Sequence, residues 1–177
     1  KDITTLREEP GDYVAALGKG VKGLRIGWSP DFGYASVDPE VAEVTSGSAK
    51  VFEELGCSLE EADLQLGNWA FDCWWVTHNA GAYATNGHLL ESHGNQITWY
   101  VKMALEHGKS VTGADYARAL GQRDVLKAIF ADLFEKYDLL LSPTMPITAF
   151  DVDHYPEEIA GQEVYPFPAF GFIPFTH

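Results

Sequence analysis

The chain has 177 residues, 46% of them hydrophobic, with 12 basic against 26 acidic side chains and a formal net charge of −14. A chain of this length can bury roughly 70% of the surface it exposes when unfolded, which excludes disorder as its main state and any need for a disulfide framework or structural metal. The acidic surplus argues against direct contact with nucleic acid. Cys57 and Cys73 match no zinc spacing and suit a reduced, cytoplasmic setting, and no apolar run approaches the ~20 residues of a membrane helix.

In chain order, residues 1–22 read as a polar connector entered from an upstream segment, with Pro10-Gly11 as a turn signal. Within it, Gly18-Lys-Gly-Val-Lys-Gly23 satisfies G-x-G-x-x-G. A dinucleotide fingerprint must follow a strand and open a helix, whereas this run precedes the apolar stretch Leu24–Trp28, so a plain loop is the reading and no cofactor is called for. Leu24-Arg-Ile-Gly-Trp28 suits a strand. Asp38-Pro-Glu40 then supplies an N-cap, a proline at the first helical position and an acidic first turn. It opens a helix with Val41, Val44, Ser48, Val51, Phe52 and Leu55 on its inward stripe and Gly56 to stop it. A weaker strand is expected around residues 58–62.

Asn68 is placed to cap a second helix running to about Leu90, with Trp75, Asn79 and Tyr83 four apart on one side. Residues 94–108 hold a shorter helical pattern that ends near Gly108. Thr112 and Asp115 form the pattern of a capping box before a long helix whose stripe is Tyr116, Leu120, Leu126, Phe130, Leu133, Phe134 and Tyr137. Leu139-Leu-Leu-Ser142, closed by Pro143, has the continuous apolar character of a strand buried on both faces. This alternation predicts an α/β architecture, part of an α/β/α sandwich with a mixed, mostly parallel central sheet. Residues 23–177 are expected to form one part of a single domain. The final stretch places Phe167, Phe170, Phe172, Ile173 and Phe175 close together, an apolar load that needs cover and suits an ordered loop forming a pocket wall.

Several patterns invite chemistry and fail on geometry. His88-Leu-Leu-Glu-Ser-His93 sets two histidine rings about 140° apart on a helix and names no third metal ligand, so solvated loop histidines are expected. His78, His107, His154 and His177 show no partner in the sequence. Ser46 and Lys50 are helical neighbours, but with no oxyanion donors in view a local hydrogen bond explains them better than a serine–lysine nucleophile. Glu60 with Glu61, and Asp151 with Asp153, read as solvated faces. The cluster Trp69, Phe71, Trp74 and Trp75 reads first as core packing and second as the lining of an aromatic pocket.

Tyr137-Asp-Leu-Leu-Leu-Ser-Pro-Thr-Met-Pro146 resembles the carboxyl-side half of an amidase signature enzyme. Lys1-Asp-Ile-Thr-Thr5, Gly23-Leu-Arg-Ile-Gly27, Asp38-Pro-Glu-Val41 with Phe52-Glu-Glu-Leu-Gly56, and Asp115-Tyr-Ala-Arg-Ala-Leu120 resemble other family segments in the family's order. The resemblance implies hydrolysis of carboxylic amides by a Ser-Ser-Lys triad. In the family that triad lies in a segment upstream of Lys1, so no catalytic residue is assigned here and the chain alone is expected to be inactive. It further implies that the missing amino-side segment is a partner, that the chain stops before another family segment, and that Asn79, Tyr83, Lys102, Thr144, Phe170 and Ile173 contribute to the substrate pocket. The substrate is expected to be a small-molecule amide, with no metal, no membrane contact and the option of a homo-oligomer.

Relatives that serve as glutaminase subunits of tRNA-dependent amidotransferases offer a carboxylate near the position of Ile173. A buried ammonium facing isoleucine would lose its ion partner, which favours a stand-alone amidase acting on an apolar or aromatic amide. The alternatives are a glutaminase subunit of that kind and a noncatalytic binding or scaffold domain.

Overall fold

The computed structural model describes residues 9, 11–152, 154–167 and 170–176; the Lys1–Thr5 motif, Asp153 and His177 lie outside them. A capped turn, α1 (Tyr13–Ala16), runs into a short 3-10 segment and precedes β1 (Arg25–Trp28), so the glycine-rich run does lie before a strand. The crossover α2 (Pro39–Glu54) leads to β2 (Ser58–Glu61). Four helices follow, α3 (Asn68–Asn86), α4 (Leu89–His93), α5 (Trp99–Ser110) and α6 (Gly113–Lys136), and return the chain to β3 (Leu139–Leu141). The order is β2-β1-β3, and β1 pairs in parallel with both neighbours. Helical crossovers are what parallel pairing requires, because a tight turn cannot join parallel strands.

β1 is the centre of the frame. Ile26 is fully buried, and Gly27 leaves room for the Tyr137 ring; a Cβ at that position would stand 2.9 Å from Tyr137 Cδ2. The next residue ties the two strands together at their start. Asp138 Oδ2 accepts from the Arg25 backbone N–H at 2.8 Å, and Asp138 Oδ1 accepts from Arg25 Nη2 at 2.9 Å. These bonds from Arg25 hold the Asp138 carboxyl down at about 2.

The hydrophobic core sits where the segment after β2 meets α3 and the end of α6. Ala62, Leu64, Leu66, Ala70, Leu133 and Tyr137 are buried together, with Phe32, Trp69 and Phe130 packed around them. α6 starts on the full capping box: Thr112 Oγ1 accepts from the Asp115 N–H at 3.1 Å, and Asp115 Oδ2 accepts from the Thr112 N–H at 3.2 Å. Thr112→Ala should therefore cost roughly 1 kcal/mol in urea unfolding, with Thr112→Ser close to the parent protein. An alanine variant of unchanged stability would show that the box is ornamental.

Four local expectations are corrected. Gly67, without a side-chain bond, is the cap of α3, and Asn68 is already helical; the helix ends at Asn86, before Gly87, and α4 is a separate turn. Gly108 lies inside α5 and does not stop it. The inward side of α2 is rotated from the expected stripe: Thr45, Ala49 and Phe52 face Trp28 and Leu141, while Ser48 is exposed at the rim of that cleft and Val44, Val51 and Leu55 are 62%, 47% and 52% exposed. Finally, β3 is not covered on both faces, since Leu139 is 41% exposed.

Beyond β3 the chain forms a small antiparallel hairpin, β4 (Glu158–Ile159) and β5 (Gln162–Glu163). Its two-residue loop has Ala160 at φ 52° and Gly161 at φ 75°, the left-handed pair that matches strand twist. Alanine in the first position hides this turn from sequence inspection. No helix among the described residues is long and apolar enough to cross a membrane.

Candidate functional site

An apolar concave feature lies between α3, α5 and the aromatic tail. On α3, Trp75 and Asn79 are one turn apart and both buried, at 9% and 0% exposure. On α5, Tyr100, Val101, Ala104 and Leu105 recur at helical spacing toward them. The tail closes one side, where the Phe170 N–H donates to the Phe167 carbonyl at 3.2 Å. The Phe170 ring centroid lies 5.0 Å from that of Trp75, edge to face. The result is a cavity of about 350 Å³ whose wall is apolar and aromatic, with Trp74, Trp75, Tyr100, Leu105 and Phe170 prominent and Asn79 also contributing.

Two tyrosines fasten the tail and so hold Phe170 in place. Tyr34 Oη donates to the Pro174 carbonyl at 2.7 Å, and Tyr165 Oη donates to Asp72 Oδ1 at 2.7 Å. Burial raises both phenol pKa values, and the Asp72 carboxylate helps push Tyr165 up to about 12. Both hydroxyls therefore stay protonated and able to donate throughout the neutral range.

Asn79 is the distinctive polar group. Its Nδ2 lies 3.3 Å from His107 Nδ1, while its Oδ1 is buried without a hydrogen-bond partner. Burial lowers the His107 pKa and favours the neutral imidazole, whose Nδ1 can accept from the amide. His107 thus has a partner, one that the sequence did not name. The missed signal was its position beside Gly108, where α5 meets the Asn79 backbone.

Of the six expected pocket contributors, the structure brings Asn79 and Phe170 to this cavity. Tyr83 lies one turn beyond Asn79 and packs its Cβ toward Gly108. Lys102 is exposed, with Nζ 4.0 Å from Glu106 Oε1. Thr144 is exposed beyond β3, and Ile173 is half-buried in the tail; neither lines the cavity. The aromatic cluster divides between core packing and the cavity wall. Phe71 is buried and stacks on Trp75 at 6.0 Å, and Trp69 flanks the core, while Trp74 and Trp75 face the cavity.

Several hydroxyls are engaged in their own helices. Ser46 donates to the Glu43 carbonyl at 3.0 Å, Ser48 to Val44 at 2.8 Å and Ser110 to His107 at 2.7 Å. Ser92 Oγ lies 2.8 Å from His93 Nδ1, but it already bonds the His88 carbonyl and both residues are exposed. His88 is the cap of α4 and His93 its last residue, so neither sits in a loop. His78 stacks on Trp74, and His154 Nδ1 lies 3.1 Å from the Val152 carbonyl. Among the described residues no three His, Cys, Asp or Glu side chains gather as a metal site. Glu60 and Glu61 are exposed on β2 and Asp151 is exposed beyond β3.

The amidase family model matches residues 1–176. An acylamidase of Rhodococcus erythropolis is 32% identical over 159 residues, covering 87% of this chain and 32% of its own length. A glutamyl-tRNA(Gln) amidotransferase subunit of Heliobacterium modesticaldum is 31% identical over 174 residues, covering 85% and 36%. Among solved structures, a bacterial aryl acylamidase of the amidase signature group superposes with a TM-score of 0.79 at 23% identity, covering 96% of this chain and 37% of that one. The chain thus spans about a third of the length of these relatives, and the superposition bears on its fold.

Proposed function

Because this chain belongs to the amidase signature family, we propose that the protein carrying it hydrolyses carboxylic amides, with these 177 residues serving as wall and support for a nucleophile on an upstream segment. The observation that carries this reading is the family match along residues 1–176 by a chain only a third as long as its relatives. An amide yields only to an activated nucleophile with a base and oxyanion donors set around the carbonyl, and the helix-bonded serines of this chain form no such group. Both outer strands of the β2-β1-β3 sheet have an edge that no described strand pairs, and the outer face of α2 bears exposed Val44, Val51 and Leu55. These surfaces suit cover by further parts of a sandwich.

Within this reading the cavity between α3 and α5 receives the apolar part of the substrate, with Asn79 and Phe170 in contact with it. Tyr83, Lys102, Thr144 and Ile173 act from around it once the upstream segment is in place. The apolar wall favours an aryl or alkyl amide over glutamine, whose charged ammonium and carboxylate would be costly to bury there.

The test is turnover by the full-length protein. 4-Nitroacetanilide should release 4-nitroaniline, with glutamine left intact. Hydrolysis of neither compound would overturn the hydrolase reading, and glutamine turnover that needs companion subunits would replace it with the amidotransferase reading.

A further inference from the structure

We propose that the cavity between α3 and α5 is a site for flat aromatic groups of one or two rings, taken in preference to saturated groups of the same size, with Ala104 limiting the size. Only the identity of the natural ligand, the aryl part of an amide, rests on the hydrolase reading.

The helix pair itself builds the space. At Gly108, α5 lies so close to the Asn79 backbone that no Cβ fits. One turn away at Ala104, and at Ala82 on α3, the same two helices line a cavity of about 350 Å³. Protein interiors hold few voids larger than a water molecule, and leucine at either alanine would be an ordinary filler. An apolar cavity of roughly 150 Å³ already takes up benzene, so this one has room for a substituted ring or two fused rings. It opens to solvent beside Tyr100, which is 43% exposed.

The walls make the site selective. Trp74, Trp75, Tyr100 and Phe170 line it. Trp74 and Trp75 are tilted by 46° with ring centroids 5.9 Å apart, and Phe170 meets Trp75 at 61°. A flat guest among rings set at such angles can stack on one and present its edge to another, the two arrangements that aromatic quadrupoles favour. A saturated ring has no quadrupole and is thicker, so it gains only the burial of its surface. The walls are also held in advance. His78 stacks on Trp74 at 5.0 Å and Phe71 meets it at 5.3 Å, while Phe71 and Phe167 pack on Trp75. A ligand therefore orders few side chains on entry.

Benzyl alcohol and cyclohexylmethanol carry the same hydroxymethyl group and neither is an amide, so their binding is independent of turnover. The saturated compound has the larger apolar surface, and area alone would favour it. Isothermal titration calorimetry on the full-length protein should show the reverse, with benzyl alcohol binding roughly fivefold more tightly, the factor of one edge-to-face contact. Trp74 is half-buried, whereas Trp75 is 9% exposed, so Trp74 is the wall to exchange. In Trp74→Leu, which keeps the wall apolar, the ratio should fall to within about twofold, and Ala104→Phe, which fills the cavity from α5, should remove binding of both. Equal affinities in the unmodified protein, a preference for cyclohexylmethanol, or no binding of either would overturn the proposal without recourse to any variant. Binding that persists in a folded Ala104→Phe protein, or an unchanged ratio in a folded Trp74→Leu protein, would overturn it too. A protein that cleaves anilides but does not prefer benzyl alcohol loses this site and keeps its activity. One that prefers benzyl alcohol and cleaves no amide keeps the site and loses the hydrolase reading.

Discussion

Gly108→Ala should destabilise the protein by about 3 kcal/mol, although the same exchange in an open helix would stabilise it by roughly 1 kcal/mol. The sign is decided by the approach of α5 to α3. A Cβ on Gly108 would collide with the Asn79 backbone carbonyl oxygen, stand 2.6 Å from that carbonyl carbon and meet Tyr83 Cβ at 2.8 Å. The obstacles include backbone, so rotamer changes alone cannot make room. The helices must separate, and with them the His107–Asn79 contact and the cavity wall. Urea unfolding of the full-length protein should show a lower midpoint with little change in m. A neutral or stabilised variant would mean that the two helices do not cross this closely.

Leu64→Ala should cost about 3 kcal/mol, within the 2–5 kcal/mol span for truncating a buried leucine. Leu64 is 2% exposed and belongs to the cluster with Ala62, Leu66, Ala70, Leu133 and Tyr137. Two of those neighbours belong to backbone that is tightly held. The Ala62 N–H donates to the Trp28 carbonyl at 2.8 Å, and the Leu66 N–H to the Phe32 carbonyl at 2.8 Å. The space left by a missing isobutyl group therefore cannot close. Leu64→Met, which conserves volume, should cost less than about 1.5 kcal/mol. If both variants unfold at the same urea concentration as the parent, the core has been placed wrongly.

These effects show which parts of the fold were legible in the sequence. Two capping signals contained within a few residues read correctly, whereas Asn68 proved to be the first residue of α3 and not its cap. Asp38 does cap α2, accepting from the Glu40 N–H at 2.9 Å, and Thr112 with Asp115 forms the capping box. The strands at 25–28 and 139–141 follow from apolar runs bounded by turn residues. Gly108 misled because a glycine that ends a helix and a glycine that admits a neighbouring helix carry the same letter. The difference lies in Asn79, which arrives from another element. The α2 stripe misled similarly: hydrophobicity marked Val44 and Val51, but the side of the helix that meets Trp28 and Leu141 carries Thr45, Ala49 and Phe52.

The candidate site divides along the same line. Trp75 and Asn79 share a helix face, so their pairing was visible in the spacing, and Phe170 stood out as part of an apolar tail in need of cover. His107 did not, because its partner is set by a helix crossing. The spare oxygen of Asn79 was invisible for the same reason, since an unmet hydrogen bond has no sequence signature at all.

The central claim is that this chain supports a nucleophile located elsewhere in the protein. It is tested most directly by labelling the full-length protein with a fluorophosphonate, which phosphonylates an activated serine with loss of fluoride, and mapping the adduct by peptide mass spectrometry. The account predicts an adduct on a serine outside these 177 residues, and no modification of Ser46, Ser92 or any other serine of the chain. A stoichiometric adduct within the chain, blocked by an amide substrate, would contradict it.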